Sequence, residues 1–130
     1  LRYFGNTSTQ VVGISVSGPA DRLEARTRAV IGMLSEVAAI PATVVSDGDV
    51  YVNDEYIGDG YGRPSEAGVA AIRSVAENEG IILDPVYTGK AMSGMLDRVS
   101  RGLLHNARDV VFLHTGGAPA IHPYAEFLRS

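Results

Sequence analysis

The chain has 130 residues, of which 45% are hydrophobic and 20% charged, with a net charge of -4 and no cysteine. That composition suits one globular domain with one core. It excludes a disulfide framework, a thiolate nucleophile and a cysteine metal site. It offers no broad basic face to nucleic acid or anionic membrane, and no apolar run nears the roughly 20 residues that span a bilayer.

The chain starts at Leu1 rather than a methionine, and "LRYFGNTSTQVVGISVS" reads like the end of one unit running into a strand, so a longer protein is expected. No signal peptide is visible in it, which makes the cytoplasm the expected location. The β-branched run Gln10 to Ser17 predicts a buried strand. Ser17-Gly18-Pro19 signals a helix start, because proline suits a first helical turn. Leu23, Thr27, Val30, Leu34 and Val37 then recur at helical spacing and predict a helix from about Pro19 to Ala38.

Asp47-Gly48 carries a hairpin signal, and Val50 and Val52 alternate with polar residues, so two short strands are expected around it. A Gly-rich loop from Gly58 to Pro64 leads to Ser65, a good N-cap, and a helix bearing Val69, Ile72 and Ala76 runs to Gly80. Ile81 to Pro85 reads as a third strand, and Thr88 as the cap of a helix with the stripe Met92, Met95, Leu96, Val99 and Leu103. "VVFLH" (110–114) reads as the last strand and Ala118 to Leu128 as a closing helix. Strands alternating with helices of this length predict an α/β fold, a mostly parallel sheet with helices on both faces.

Ligands of such sheets sit beyond the carboxyl ends of the strands. Two of those ends carry "DPVYTGK" and "HTGGAP", each a hydroxyl residue next to glycine. Tyr61 and Tyr87 offer phenols that donate or accept hydrogen bonds, exchange protons, or stack on a flat ligand. Thr88 and Thr115 offer neutral hydroxyls, and Lys90 reads as a solvated surface residue. His105, His114 and His122 lack metal-ligand spacing, and the acidic run from Asp47 to Asp59 lacks the periodicity of a calcium loop, so no metal is expected.

"YGRPSEAGVAAIRSVAENEGIILDPVYTGKAMSGMLDRV" together with "VVFLHTGGAPAIHPY" resembles the C-terminal part of the D-cysteine desulfhydrase and 1-aminocyclopropane-1-carboxylate deaminase family. These are pyridoxal 5'-phosphate enzymes of the tryptophan synthase β-like, fold type II class. The resemblance implies that residues 1–130 form the C-terminal portion of the large cofactor-binding domain. It implies that Tyr61 and Tyr87 are the two active-site tyrosines, and that Thr88, Thr115 and Gly116 meet the cofactor, one or both threonines near its pyridine nitrogen. The deaminases carry glutamate and leucine where this chain has Thr88 and Thr115. A neutral hydroxyl supports a weaker electron sink than a carboxylate, which suits β-elimination better than cyclopropane opening. D-cysteine conversion to pyruvate, sulfide and ammonia is therefore the expected reaction. A 1-aminocyclopropane-1-carboxylate deaminase and an L-cysteate sulfo-lyase are the alternatives within the class, and a non-catalytic small-ligand-binding α/β domain is the alternative outside it. The resemblance also implies a homodimer acting on a small amino acid. The family's Schiff-base lysine, substrate-carboxylate serine and phosphate loop lie N-terminal to the matched region, and Lys90 is not that lysine. The 130-residue chain alone is thus expected to be inactive.

Overall fold

The computed structural model describes residues 1–129. Strand β1 (Val12–Ile14) is followed by helix α1 (Ala20–Ala38), and strand β2 (Tyr51–Asn53) then returns parallel to β1, with Val12 opposite Tyr51 and Ile14 opposite Asn53. Parallel pairing requires a crossover of this kind, because a tight turn cannot reverse the chain direction twice. Helices α2 (Glu66–Glu79), α3 (Thr88–Ser100) and α4 (Ala125–Arg129) complete the fold. The α/β architecture with a parallel sheet is as the sequence indicated.

The core lies between α2 and α3, where Ala71, Ile72, Val75, Leu83 and Met92 are buried together, with Met95, Phe112 and Leu128 packed against them. Close approach of the two helices depends on Gly89. A Cβ there would lie 2.7 Å from both the Asp84 carbonyl oxygen and Ile72 Cδ1. Helix α2 has the start and stop expected of it. Ser65 Oγ accepts from the Gly68 N–H at 3.1 Å, and Gly80 ends the helix in the left-handed conformation at φ 67°.

Four expectations are corrected. The Asp47-Gly48 segment is a 3-10 turn rather than a hairpin, and a strand follows it only on the C-terminal side. The Asp49 carboxylate accepts from the Ser46 N–H and hydroxyl and from Arg2, and this local capping closes the turn without a partner strand. The runs 81–85 and 110–114 form no strand and belong to no sheet, and Pro85 already lies in a turn. A strand needs a backbone ladder with a neighbour, and among the described residues the only ladder is that of β1 with β2. Val111 is consequently 87% exposed, although Leu83 in the other run is fully buried. The stripe Val30, Leu34 and Val37 of α1 is also exposed, so the helix is where periodicity put it but its apolar face is uncovered. Finally, the closing segment begins as a 3-10 helix over Ala118–Tyr124 and turns α-helical only at Ala125. Pro123, inside the segment, lacks the N–H that a continuous α-helix needs there.

Candidate active site

The start of α3 is built by Asp84. Its carboxylate accepts the backbone N–H groups of Val86, Tyr87 and Thr88 at 2.7–2.9 Å, and also the Thr88 hydroxyl proton at 2.6 Å. The Thr88 hydroxyl in turn accepts from the Asp84 N–H at 2.8 Å. Asp84 and Thr88 are both buried. Burial pushes the Asp84 carboxyl up, but the hydrogen bonds from Thr88, Tyr87 and Val86 outweigh it and hold it below the usual carboxylate range. Thr88 is therefore the first residue of the helix, and the cap expected of it comes from Asp84 instead. Sequence reading gave Asp84 no role. The signal was present as an aspartate ahead of a proline and four residues before a helix start.

Tyr87 leaves this capped turn with its ring half exposed and meets Tyr61 from the loop that precedes α2. The ring centroids are 5.9 Å apart at 63°, edge to face, and the two phenols share a hydrogen bond. That bond, with partial burial, raises Tyr87 above the ordinary phenol range, so Tyr87 holds its proton at neutral pH.

The Tyr61 loop is fastened from two sides. Tyr124 donates its phenol proton to the Gly62 carbonyl at 2.6 Å. Lys90, the chain's single lysine, donates to the carbonyls of Ile57 at 2.6 Å and Gly60 at 2.8 Å. It is fully buried, which corrects the expectation of a solvated surface residue. Its ammonium is thus committed to backbone oxygens and is not poised to form a Schiff base.

The turn after residue 114 lies against the Asp84 cap. Gly116 and Gly117 have φ of 105° and 102°, a region L side chains rarely adopt. A Cβ on Gly117 would stand 2.5 Å from the Asp84 carboxylate carbon, whereas one on Gly116 would meet nothing within 4 Å. His114 braces the turn. Its Nδ1 accepts from the Gly116 N–H at 3.2 Å, which leaves Nε2 to donate to the Ile82 carbonyl at 3.1 Å. Thr115 is exposed, and its hydroxyl makes no hydrogen bond among the described residues. The structure thus brings Tyr61 and Tyr87 together and sets Gly116 on an open face. It separates the two threonines, one sealed beneath the cap and one free.

The unequal surroundings of the two glycines give a paired expectation. Gly117→Ala costs about 3 kcal/mol or more in stability, from backbone strain plus the clash with Asp84. Gly116→Ala costs about 1–2 kcal/mol, from backbone strain alone. Equal losses in urea denaturation of the two full-length variants would mean that the turn does not rest on Asp84.

Comparison with known proteins gives a consistent picture. D-cysteine desulfhydrases of Salmonella schwarzengrund (strain CVM19633) and Salmonella newport (strain SL254) are each 36% identical over 115 residues, covering 88% of this chain and 34% of the relative. The chain therefore spans about a third of the length of the curated relatives it matches. A crystal structure described as an ACC deaminase homologue superposes with a TM-score of 0.81 at 31% identity, over 98% of this chain and 37% of that one. The family profile described as "Pyridoxal-phosphate dependent enzyme" matches residues 1–116, and the chain belongs to that family.

Proposed function

We propose that residues 1–130 are the C-terminal portion of the large domain of a fold type II enzyme, and that the full-length protein is a lyase of the D-cysteine desulfhydrase type. The uncovered apolar residues of α1 and of the 110–114 run support the first part, since they are faces suited to burial against more of the same domain. The second part rests on the Tyr61–Tyr87 phenol contact beside an open glycine turn.

The residue types present fit pyridoxal phosphate. The space in front of Gly116 is open, the Thr115 hydroxyl makes no hydrogen bond among the described residues, and the phenols of Tyr61 and Tyr87 are in contact with each other. Bound there, the cofactor supplies the electron sink that makes an α-proton of an amino acid removable. Thr115 would offer that cofactor a neutral hydroxyl partner for its ring nitrogen. Asp84 is not a candidate for that role, because its oxygens are saturated by the cap. A neutral partner favours loss of a good leaving group from the β-carbon over opening of a cyclopropane. Tyr87, a protonated phenol at neutral pH, donates a hydrogen bond toward substrate, and Tyr61 holds it in that orientation. We extend the reading to a small amino-acid substrate, a cytoplasmic location and a homodimer, on the family resemblance.

The test is to supply the full-length enzyme with D-cysteine, L-cysteate and 1-aminocyclopropane-1-carboxylate and to follow sulfide, sulfite, ammonia and the keto acid. D-cysteine is expected to give pyruvate and sulfide with the highest kcat/KM. Faster turnover of either competitor would replace the assignment with that activity.

A further inference from the structure

The start of α3 holds Tyr87 directly and the loop of Tyr61 through Lys90. Tyr87 is the N-cap of the helix, and Lys90, less than one turn later, reaches across to the loop that bears Tyr61. The two carbonyls that Lys90 binds flank that tyrosine's approach, Ile57 four residues before it and Gly60 immediately before it. Gly60 has φ 124°, so its carbonyl direction is one that few other residues would permit. A buried ammonium seeks several oxygen acceptors, because leaving it unpaired away from water is costly. Burial lowers the pKa of Lys90, two backbone carbonyls accept its hydrogen bonds, and the charge of Asp59 in the same loop partly offsets the burial. The loop thus wraps the ammonium, and its conformation follows the position of the helix end.

We propose that Lys90 is a positioning residue for catalysis, which holds the Tyr61 phenol against Tyr87 by clamping the Ile57 and Gly60 carbonyls to the start of α3. Its catalytic consequence rests on the reading of the tyrosine pair given above, whereas the clamp itself rests on geometry alone. The clamp makes the pair a rigid unit. Any shift of α3 carries both phenols together, whereas loss of the ammonium leaves the Tyr61 loop on its Tyr124–Gly62 hydrogen bond and loosens it from Tyr87, which stays on its Asp84 cap.

The test uses the full-length enzyme with Lys90→Met, which keeps the aliphatic stem and removes the donor. Two readouts are taken. The first is the titration of Tyr87 in the cofactor-free protein, followed by tyrosine Cζ carbon NMR and assigned with Tyr87→Phe. It is expected to move down toward the ordinary phenol value of about 10, because Tyr61 no longer shares its bond. The second is turnover of D-cysteine. kcat is expected to fall about tenfold with KM changed less than about threefold, and Lys90→Met with Tyr61→Phe should be no slower than Tyr61→Phe alone. An unmoved Tyr87 titration, or losses that multiply in the double variant, overturns the proposal. So does a Lys90→Met protein that fails to fold, since the ammonium would then support the core rather than the loop. If the wild-type enzyme does not convert D-cysteine, the assigned activity fails, and the Tyr87 titration still decides the clamp.

Discussion

Asp84→Ala is expected to destabilise the full-length protein by about 3–5 kcal/mol, the range for removing a buried charged acceptor from several donors at once. Three backbone N–H groups and the Thr88 hydroxyl lose their acceptor together in an interior from which water is excluded. Asp84→Asn keeps one acceptor oxygen and should cost less than half as much. The effect depends on pH with a definite sign. The folded-state pKa of Asp84 lies below its unfolded value of about 3.9, so its stabilisation is present above that value and is lost as pH falls through the folded one. The gap between wild type and Asp84→Ala is therefore full at pH 7 and narrows below about pH 4. Urea denaturation followed by circular dichroism at pH 7, 5 and 3 measures it. A gap under about 1 kcal/mol at pH 7 would mean that the turn forms without the carboxylate.

Tyr87→Phe should lower kcat for D-cysteine by about 10- to 1000-fold, the span expected for one acid–base or orienting group. The ring, its edge-to-face contact with Tyr61 and the Asp84 cap on its backbone all survive the change. Stability and cofactor absorbance should accordingly stay near wild type, which separates loss of the hydroxyl from loss of the site. Tyr61→Phe is expected to cost less, because Tyr61 acts through Tyr87. An unchanged kcat in Tyr87→Phe would return that tyrosine to a packing role.

How much of the site was legible differs residue by residue. Tyr61, Tyr87 and Gly116 were marked by residue type next to loops and glycines and by a family resemblance, and the structure sets the two phenols in contact. Thr88 and Thr115 looked equivalent in sequence, each a threonine before glycine, yet one hydroxyl is spent on Asp84 and the other makes no hydrogen bond among the described residues. Lys90 looked like a surface lysine because nothing local tells a buried ammonium from a solvated one. Its acceptors come from Ile57 and Gly60, some thirty residues upstream.

The same division runs through the fold. The sequence by itself determined the helices α1 and α2, whose spacing, Ser65 cap and Gly80 stop are local properties of the chain. Tertiary structure alone decided which extended runs become strands. Val12–Ile14 and Tyr51–Asn53 pair because α1 returns the chain alongside itself, while the equally apolar runs at 81–85 and 110–114 remain without a ladder among the described residues. Tertiary structure also assigned Gly117 its requirement, since the carboxylate it must avoid lies on a segment more than thirty residues away. Helix signals repeat within a turn, so periodicity carries them. A strand's hydrogen bonds, a buried lysine's acceptors and a glycine's neighbours all come from distant segments, and only the folded chain brings those together.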